Sequence, residues 1–224
     1  MIRLRLGRVA AAAARRLGLL RVPRSFYARP TYYKGNRMSV IGPEDEVRWP
    51  TYSKMLDYEG ELALVIGAPV RDAAGEGCIF GYTIFDDLSA RDVLIEELLS
   101  RSSAGPAKGK DFDTGNALGP VVVTADEIAD PHALEIRVRV NAEARGRGHT
   151  SEMAHSIPEM IAYASRSETL HPGEVLATGA AAGCTGLEVG RTLEPGDVVE
   201  VEIEGIGVLR NRIRRDREAG GETP

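Results

Sequence analysis

Cysteine is scarce in this sequence, and its placement excludes two kinds of structural support. Cys78 and Cys184 are the only cysteines among 224 residues. They lie far apart, form no CxxC pair and have no histidine at a metal-ligand spacing, so a zinc site built on thiolates is not expected. Because the chain also shows no secretory signal, we expect both thiols to be reduced, as in a cytoplasmic protein.

Long apolar runs and basic patches are missing as well. No stretch approaches the ~20 consecutive apolar residues that a membrane-spanning helix needs. The formal net charge is −5 at pH 7, and no cluster of lysines and arginines forms the patch that a nucleic-acid partner requires. Neither a membrane nor a nucleic acid is therefore an expected partner.

Acidic residues are absent from residues 1–24, which are rich in Arg and Ala. This composition is typical of an organellar transit peptide. The favoured interpretation is instead an amphipathic Arg/Ala helix or a start codon placed too early.

What is present is a pattern of short strands with few helices. The segment 60–87 reads as two β-rich runs joined by a polar turn, and residues 134–140 and 199–203 alternate apolar with charged positions, as half-buried antiparallel strands do. Helical signals occur at 89–103, as an apolar stripe, and at 156–170, where Ser156 and Glu159 have the capping-box spacing. The pattern predicts one α+β, strand-rich domain.

Two glutamates, Glu59 and Glu61, stand one residue apart at the head of the apolar run that begins at residue 60. Side chains two apart on a strand point to the same face, so their charges must be neutralised by a cation, a shared proton or arginine partners. Asp86 and Asp87 end the next apolar run. Carboxylates from two strands suit Mg²⁺, Mn²⁺ or Ca²⁺, although exposed strands also carry such pairs on a solvated face.

The motifs DYEGELALVIG, FGYTIFDDLSARD, KGKDFDTGNALGPVVV, LATGAAAG and GDVVEVEIEGIGVLRN follow one another in the chain. In this order they resemble the fumarylacetoacetate hydrolase superfamily, from about Pro30 to Ile213. The resemblance implies a mixed β-sheet roll with few helices, usually dimeric, acting on 2-oxo acids or β-dicarbonyl compounds. It also implies one divalent metal held by Glu59, Glu61 and Asp87, with Asp86 standing where the family commonly has asparagine.

The resemblance assigns further roles residue by residue. Lys110 and Arg91 match the family's active-site lysine and the arginine of SARD, and are the expected catalytic cations; without the resemblance both would read as surface salt bridges. The expected substrate-binding residues are Lys34, Thr178 and Gly179.

Three other positions match the family pattern or its surroundings. We expect Asp113 and Thr114 to orient the ligands, and Asp92 to be structural, as the cap of the following helix. The implied domain bounds are 1–29 for an N-terminal helix and connection, 30–213 for the catalytic domain and 214–224 for a polar tail.

The sequence departs from the family where water is handled. Hydrolytic members carry a histidine and a glutamate ahead of the aromatic-Lys segment, whereas this chain has neither there. Its histidines all come late: His132, His149, His155 and His171. Leu94 replaces a glutamine after SARD, and Ala180 replaces a threonine of the glycine-rich loop.

Three hypotheses follow from this pattern. The first is a metal-dependent enzyme whose chemistry needs only enolate stabilisation, such as isomerisation, decarboxylation or an intramolecular condensation. The second is an acylpyruvate-type C–C bond hydrolase with a substitute base, for example Lys110 with a pKa lowered next to the metal. The third is a degenerate member that binds a metal or ligand without turnover.

Overall fold

The computed structural model describes residues 27–73, 76–100 and 105–215. The chain divides into two compact units, Met1–Tyr32 and Tyr33–Pro224. The interpretations of residues 1–24, as helix or transit peptide, lie outside the described residues, as does most of the predicted polar tail. No helix in the described ranges is long and apolar enough to cross a membrane. The domain bounds given above remain a prediction.

Short strands dominate the described part of the second unit, and the helices are few. In chain order the strands are β1 (Val40–Ile41), β2 (Glu46–Arg48), β3 (Leu56–Asp57), β4 (Gly60–Ile66), β5 (Ile79–Asp87), β6 (Ser89–Ala90), β7 (Asn116–Thr124), β8 (Glu135–Val140), β9 (Glu143–His149), β10 (Val175–Ala177), β11 (Val198–Ile203) and β12 (Gly207–Arg214). The α-helices are α1 (Arg91–Leu99), α2 (Ile157–Ala164) and α3 (Gly186–Val189). The predicted strand-rich α+β class is confirmed.

Two five-stranded sheets form the framework. The first has the order β1-β7-β5-β4-β10 and the second the order β2-β12-β11-β8-β9. Each is mixed, because β1 pairs parallel with β7 and β2 parallel with β12, while the other pairings are antiparallel. Strands β1 and β2 follow each other in sequence but enter different sheets, so residues 42–45 cross from one sheet to the other.

The core lies where the two sheets face each other. The apolar positions of β8 and β11 are paired in register, Val199 opposite Val140, Val201 opposite Val138 and Ile203 opposite Ile136. All six side chains are buried, which confirms the alternation predicted from the sequence. A Cβ on Gly60 would lie 3.1 Å from side-chain atoms of Val138 and Val201, so β4 packs closely on the second sheet.

The two longer helices begin differently. At α2 the capping box is present: the Ser156 hydroxyl caps the Glu159 amide, and the Glu159 carboxylate accepts from the Ser156 amide. At α1 the N-cap is Ala90, which makes no side-chain capping bond. The expected cap, Asp92, instead lies in the first turn and accepts bonds from the Ser53 hydroxyl at 2.6 Å and the Lys54 amide at 2.7 Å. Asp92 is therefore structural, but it does not cap α1.

Candidate metal centre

The β4–β5 hairpin brings three carboxylates to its open end. Glu61 is the second residue of β4, Asp87 is the last residue of β5, and Glu59 immediately precedes β4. The antiparallel register pairs Gly60 with Asp86, and the Asp87 amide donates to the Glu59 carbonyl at 3.1 Å. One oxygen from each of Glu59, Glu61 and Asp87 can be chosen so that all three lie within 4.8 Å of one another. We call these three residues the acidic cluster.

Lys110 joins two members of the acidic cluster. Its ammonium donates to Glu59 Oε2 at 2.7 Å and to Asp87 Oδ2 at 2.8 Å, and the side chain is buried. Burial opposes the charged form of Lys110, but the two carboxylates outweigh burial and raise its pKa. In this arrangement the carboxylates that hold the ammonium also hold its proton, and the hypothesis of a Lys110 base whose pKa is lowered by a neighbouring metal stays a prediction.

Arg91 approaches the cluster from the first position of α1. Its Nη2 donates to Glu59 Oε1 at 2.6 Å, and its Nε donates to Asp57 Oδ2 at 3.0 Å. Asp57 Oδ2 also accepts from the Leu187 amide at 3.0 Å, so the carboxylate that holds Arg91 is itself held by α3. A Cβ on Gly186 would lie 2.2 Å from Asp57 Oδ1, so only glycine fits beside this carboxylate.

Asp57 was not among the residues predicted for the site. The signal was present, because Asp57, Glu59 and Glu61 alternate at positions two apart and would share one face of a strand. Its side chain is fully buried, and Arg91 fixes it beside the acidic cluster.

The site carries more buried acid than buried base. Burial and the nearby Asp87 and Glu59 carboxylates raise the pKa of Glu61 well above its usual range. For Glu59, burial opposes ionisation, but Lys110 and Arg91 outweigh it and lower the pKa. The buried or half-buried carboxylates are Asp57, Glu59, Glu61, Asp86 and Asp87, and the cations that contact them are Arg91 and Lys110.

A divalent cation fits this arrangement. Glu61 contacts no cationic side chain among the described residues, and its one hydrogen bond comes from the Gly179 amide, at 2.9 Å to Oε2. Its other oxygen remains available beside two further carboxylates. Hard oxygen donors in a site with uncompensated negative charge are what Mg²⁺, Mn²⁺ and Ca²⁺ prefer. Gly179 has φ +87, a conformation that favours glycine, so this residue type is required where the loop meets Glu61.

Asp86, adjacent to the cluster, has a different part. Burial raises its pKa to about 7, and its Oδ1 accepts from the Glu59 amide at 2.9 Å. It therefore fixes the backbone that presents Glu59, a bond that the amide oxygen of asparagine also accepts.

Tyr33 was likewise missed by the sequence analysis. Its hydroxyl lies 2.8 Å from both carboxylate oxygens of Asp87, and its ring centroid is 6.0 Å from the Lys110 ammonium. The neighbouring Lys34, which was predicted to bind substrate, pairs instead with Glu168, and its side chain is 70% exposed. The structure thus brings Tyr33 rather than Lys34 to the acidic cluster.

Three other predicted positions have backbone contacts or lie outside the cluster. The Thr178 hydroxyl donates to the Leu62 carbonyl at 2.9 Å, so this residue, which follows β10, attaches the end of that strand to β4. Thr114 accepts from the Arg48 amide at 2.7 Å, and Asp113 is exposed. These contacts do not place Thr114 or Asp113 against the cluster carboxylates.

Histidine takes no part in the cluster's contacts. The partners that the described residues supply to the three carboxylates are a lysine, an arginine, a tyrosine and one backbone amide. His132 accepts from the Ile157 amide at 3.2 Å, and His149 caps a turn by accepting from the Ser151 amide at 3.2 Å. Both imidazoles are therefore engaged in local structure.

Residues 4–214 match the family described as the fumarylacetoacetate (FAA) hydrolase C-terminal family. The chain belongs to the fumarylacetoacetate hydrolase family. The mitochondrial oxaloacetate tautomerase FAHD2A of Homo sapiens is 37% identical over 188 residues, which are 82% of this chain and 59% of that protein. An uncharacterised protein of Pyrococcus abyssi is 41% identical over 179 residues, which are 78% of this chain and 75% of that one.

Solved structures of this family have the same fold. The 5-carboxymethyl-2-hydroxymuconate delta-isomerase of Mycobacterium smegmatis has a TM-score of 0.73 at 34% identity, covering 85% of this chain and 72% of that one. The fumarylacetoacetate hydrolase of Exiguobacterium antarcticum has a TM-score of 0.74 at 36% identity, covering 82% and 66%. This is a family of hydrolases, isomerases and tautomerases, and the chain spans about 59% of the length of the human tautomerase that it matches.

Proposed function

We propose that the protein is a divalent-metal-dependent enzyme that interconverts the keto and enol forms of a short 2-oxo dicarboxylic acid, of which oxaloacetate is the simplest test compound. The observation that carries the proposal is the acidic cluster, with Arg91 and Lys110 against it and no histidine among its partners in the described residues. The names of the tautomerase and isomerase relatives indicate the same reaction class and support the proposal.

Glu59, Glu61 and Asp87 are the residues that would hold the cation, with Mg²⁺ as the first choice and Mn²⁺ or Ca²⁺ as alternatives. When bound, the cation supplies a Lewis acid that polarises the 2-oxo group and stabilises the enolate oxygen. Burial keeps water from screening these charges, so each interaction is stronger here than on the surface.

Arg91 and Lys110 are the proposed catalytic cations. Both are held in the charged form by the carboxylates around them, so they offer N–H donors to a substrate carboxylate or to the developing enolate oxygen. Because Asp57 and Glu59 hold the guanidinium from two sides, Arg91 presents its remaining donors in a fixed direction. Gly179 lets the backbone of its loop approach the acidic cluster, where its amide donates to Glu61. The earlier assignment of Lys34 and Thr178 to substrate binding stays a prediction.

Tautomerisation fits this site better than hydrolysis because it needs no activated water: in the enol-to-keto direction the Lys110 ammonium could give a proton to carbon and recover one from the enol hydroxyl. Hydrolysis of a C–C bond requires a group that deprotonates water, and Lys110 is held protonated. Hydrolases are nevertheless among the solved relatives, so C–C bond cleavage of an acylpyruvate is the second candidate function.

The test is turnover of enol-oxaloacetate, followed by its ultraviolet absorbance, with Mg²⁺ or Mn²⁺ and with EDTA. We expect metal-dependent loss of the enol without formation of pyruvate. Pyruvate and CO₂ would show decarboxylation, and cleavage of an acylpyruvate in a parallel assay would show hydrolysis. A protein that binds Mn²⁺ but turns over none of these compounds would favour the degenerate-member hypothesis.

Two variants test whether the activity depends on the acidic cluster. Glu61→Gln removes a cluster charge at nearly constant volume and is expected to abolish the metal-dependent rate. Glu96→Gln, on the exposed face of α1, makes the same chemical change away from the cluster and should retain full activity. Equal activity of Glu61→Gln and wild type would contradict the proposal.

We also propose that the protein acts as a homodimer in the cytoplasm. The homodimer rests on the family resemblance, and light scattering coupled to size exclusion tests it directly. The human relative is named as mitochondrial, so localisation of this chain is tested by fractionation with an antibody against its C-terminal residues.

A further inference from the structure

Tyr33 is held at the acidic cluster by its own segment. Asn36 donates to Asp111 Oδ1 at 2.9 Å, and its own side chain accepts from the Met38 amide at 2.9 Å. Three residues later, Ser39 accepts from the Asn116 side chain at 2.5 Å. The segment 33–39 is thus attached at two points that follow Tyr33 in the chain, so the placement of Tyr33 does not depend on the tyrosine alone.

The contact of Tyr33 is directed at one ligand. The phenolic hydroxyl lies 2.8 Å from Oδ1 and 2.8 Å from Oδ2 of Asp87, so its proton is shared by the two oxygens. Lys110 reaches the same carboxylate only through Oδ2. Donors on two sides leave Asp87 with one favoured orientation, since rotation about its side-chain bonds breaks at least one charge-assisted hydrogen bond.

Asp87 needs such support more than Glu59 does. Glu59 has two cationic partners, Arg91 and Lys110, whereas Asp87 shares Lys110 with Glu59 and has Tyr33 as its other side-chain donor. Glu61 lies in the same cluster and repels it. A neutral donor stabilises the carboxylate without adding a positive charge, so it orients the ligand and leaves the negative charge that attracts a cation.

We propose that Tyr33 is a positioning residue of the metal centre: its hydroxyl fixes the carboxylate of Asp87 in the orientation in which Glu59, Glu61 and Asp87 bind a divalent cation together. The inference rests on the proposed function, because it assumes that the acidic cluster is the metal site. Nothing in the sequence signals this role, since Tyr33 and Asp87 are 54 positions apart.

The experiment compares Mn²⁺ binding to the full-length wild type, Tyr33→Phe and Tyr32→Phe. Electron paramagnetic resonance of free Mn²⁺ gives the dissociation constant, and the spectrum of bound Mn²⁺ reports the symmetry of its ligands. Tyr33→Phe removes one oxygen and keeps the ring against Lys110. Tyr32→Phe is the matched control, because this neighbouring tyrosine has an exposed side chain.

We expect Tyr33→Phe to weaken Mn²⁺ binding by about tenfold, within the range seen when groups that orient metal ligands are removed. The bound spectrum should broaden, whereas Tyr32→Phe should match the wild type in both measurements. Thermal melting of the metal-free proteins checks the fold. A role limited to packing would lower Tm and leave the dissociation constant of the folded protein unchanged, which overturns the inference.

The outcomes distinguish the two proposals. If the wild type binds Mn²⁺ and Tyr33→Phe binds it equally well, the positioning role is wrong and the metal centre stands. If the wild type binds no Mn²⁺, or if Glu61→Gln binds as tightly as the wild type, the acidic cluster is not the metal site and both proposals fail.

Discussion

The outer face of the second sheet and the acidic cluster use the same residue types with opposite consequences. On β8, Arg139 donates to Glu200 at 3.1 Å and to Glu202 at 2.7 Å, both on β11. At the cluster, Arg91 donates to Glu59 at 2.6 Å and lies 2.9 Å from Asp57. The distances are alike, so ion-pair geometry does not tell a surface network from a site.

Burial and charge balance separate the two regions. The arginines and glutamates on β8 and β11 are in contact with solvent and alternate in sign, so water and counter-ions reduce the energy of each pair. The cluster residues are shielded from water, and carboxylates outnumber cations there. Buried negative charge of this kind has a large energetic cost, which a bound divalent cation would offset.

The test with the largest expected effect on stability removes one arginine from each region. Arg91→Met leaves Asp57 and Glu59 without their shared cation, and breaking a buried pair in this way costs about 3–5 kcal/mol. Arg139→Met breaks partly exposed pairs and should cost no more than about 1 kcal/mol. Urea unfolding measures both. Similar losses for the two variants would show that burial is not what separates the regions.

A second test fills the space beside Asp57. In Gly186→Ala the new Cβ would meet Asp57 Oδ1 at 2.2 Å and the Arg191 carbonyl at 2.6 Å, so α3 or the carboxylate must shift. We expect a loss of about 1–3 kcal/mol, as for other overpacked sites. Gly77→Ala is the control, because a Cβ there meets nothing within 4 Å. An unchanged Tm for Gly186→Ala would mean that the Asp57 pocket is looser than described.

The third test addresses charge balance directly. Because burial and the neighbouring carboxylates oppose ionisation of Glu61, we expect Glu61→Gln to raise the Tm of the protein in EDTA at pH 7. Added Mg²⁺ should raise the Tm of the wild type and leave that of the variant unchanged. Calorimetry with and without Mg²⁺ measures both effects. A metal-free variant that melts below the wild type would contradict the assigned repulsion.

The smallest expected effect concerns a residue next to α3. Burial raises the pKa of Cys184 to about 12, so its thiolate is scarce at neutral pH. We expect iodoacetamide to modify Cys184 very slowly in the native protein and rapidly in urea. Mass spectrometry of the alkylated peptide follows the reaction, and rapid native labelling would show that this part of the molecule opens to solvent.

The fold was predictable because its signals are local. Strand alternation placed Ile136, Val138 and Val140 in the core, and the capping box placed the start of α2. The pairing of β1 and β2 with different sheets was not predictable, since each is short and the partners that fix them lie far along the chain. Contacts at long sequence separation leave no periodic pattern.

The same reasoning distinguishes the site residues that could be predicted from those that could not. The spacing of Glu59 and Glu61 indicated paired carboxylates from the residues alone, whereas the choice of Asp87 as the third ligand and the roles of Arg91 and Lys110 came from the family resemblance. Asp57 could have been predicted from its spacing to Glu59 but was overlooked. The position of Tyr33 could not have been predicted, because the sequence has no pattern there that decides whether Tyr33 or Lys34 faces inward.

Gly60 separates the two glutamates of the cluster and also touches the hydrophobic core. The 3.1 Å limits set by Val138 and Val201 mean that the distance between the two sheets determines where Glu59 and Glu61 stand. The packing of the core therefore sets the position of the acidic cluster. Exchanging either valine for a bulkier residue is then a functional change as much as a structural one, and selection on catalysis would constrain side chains that never meet a substrate.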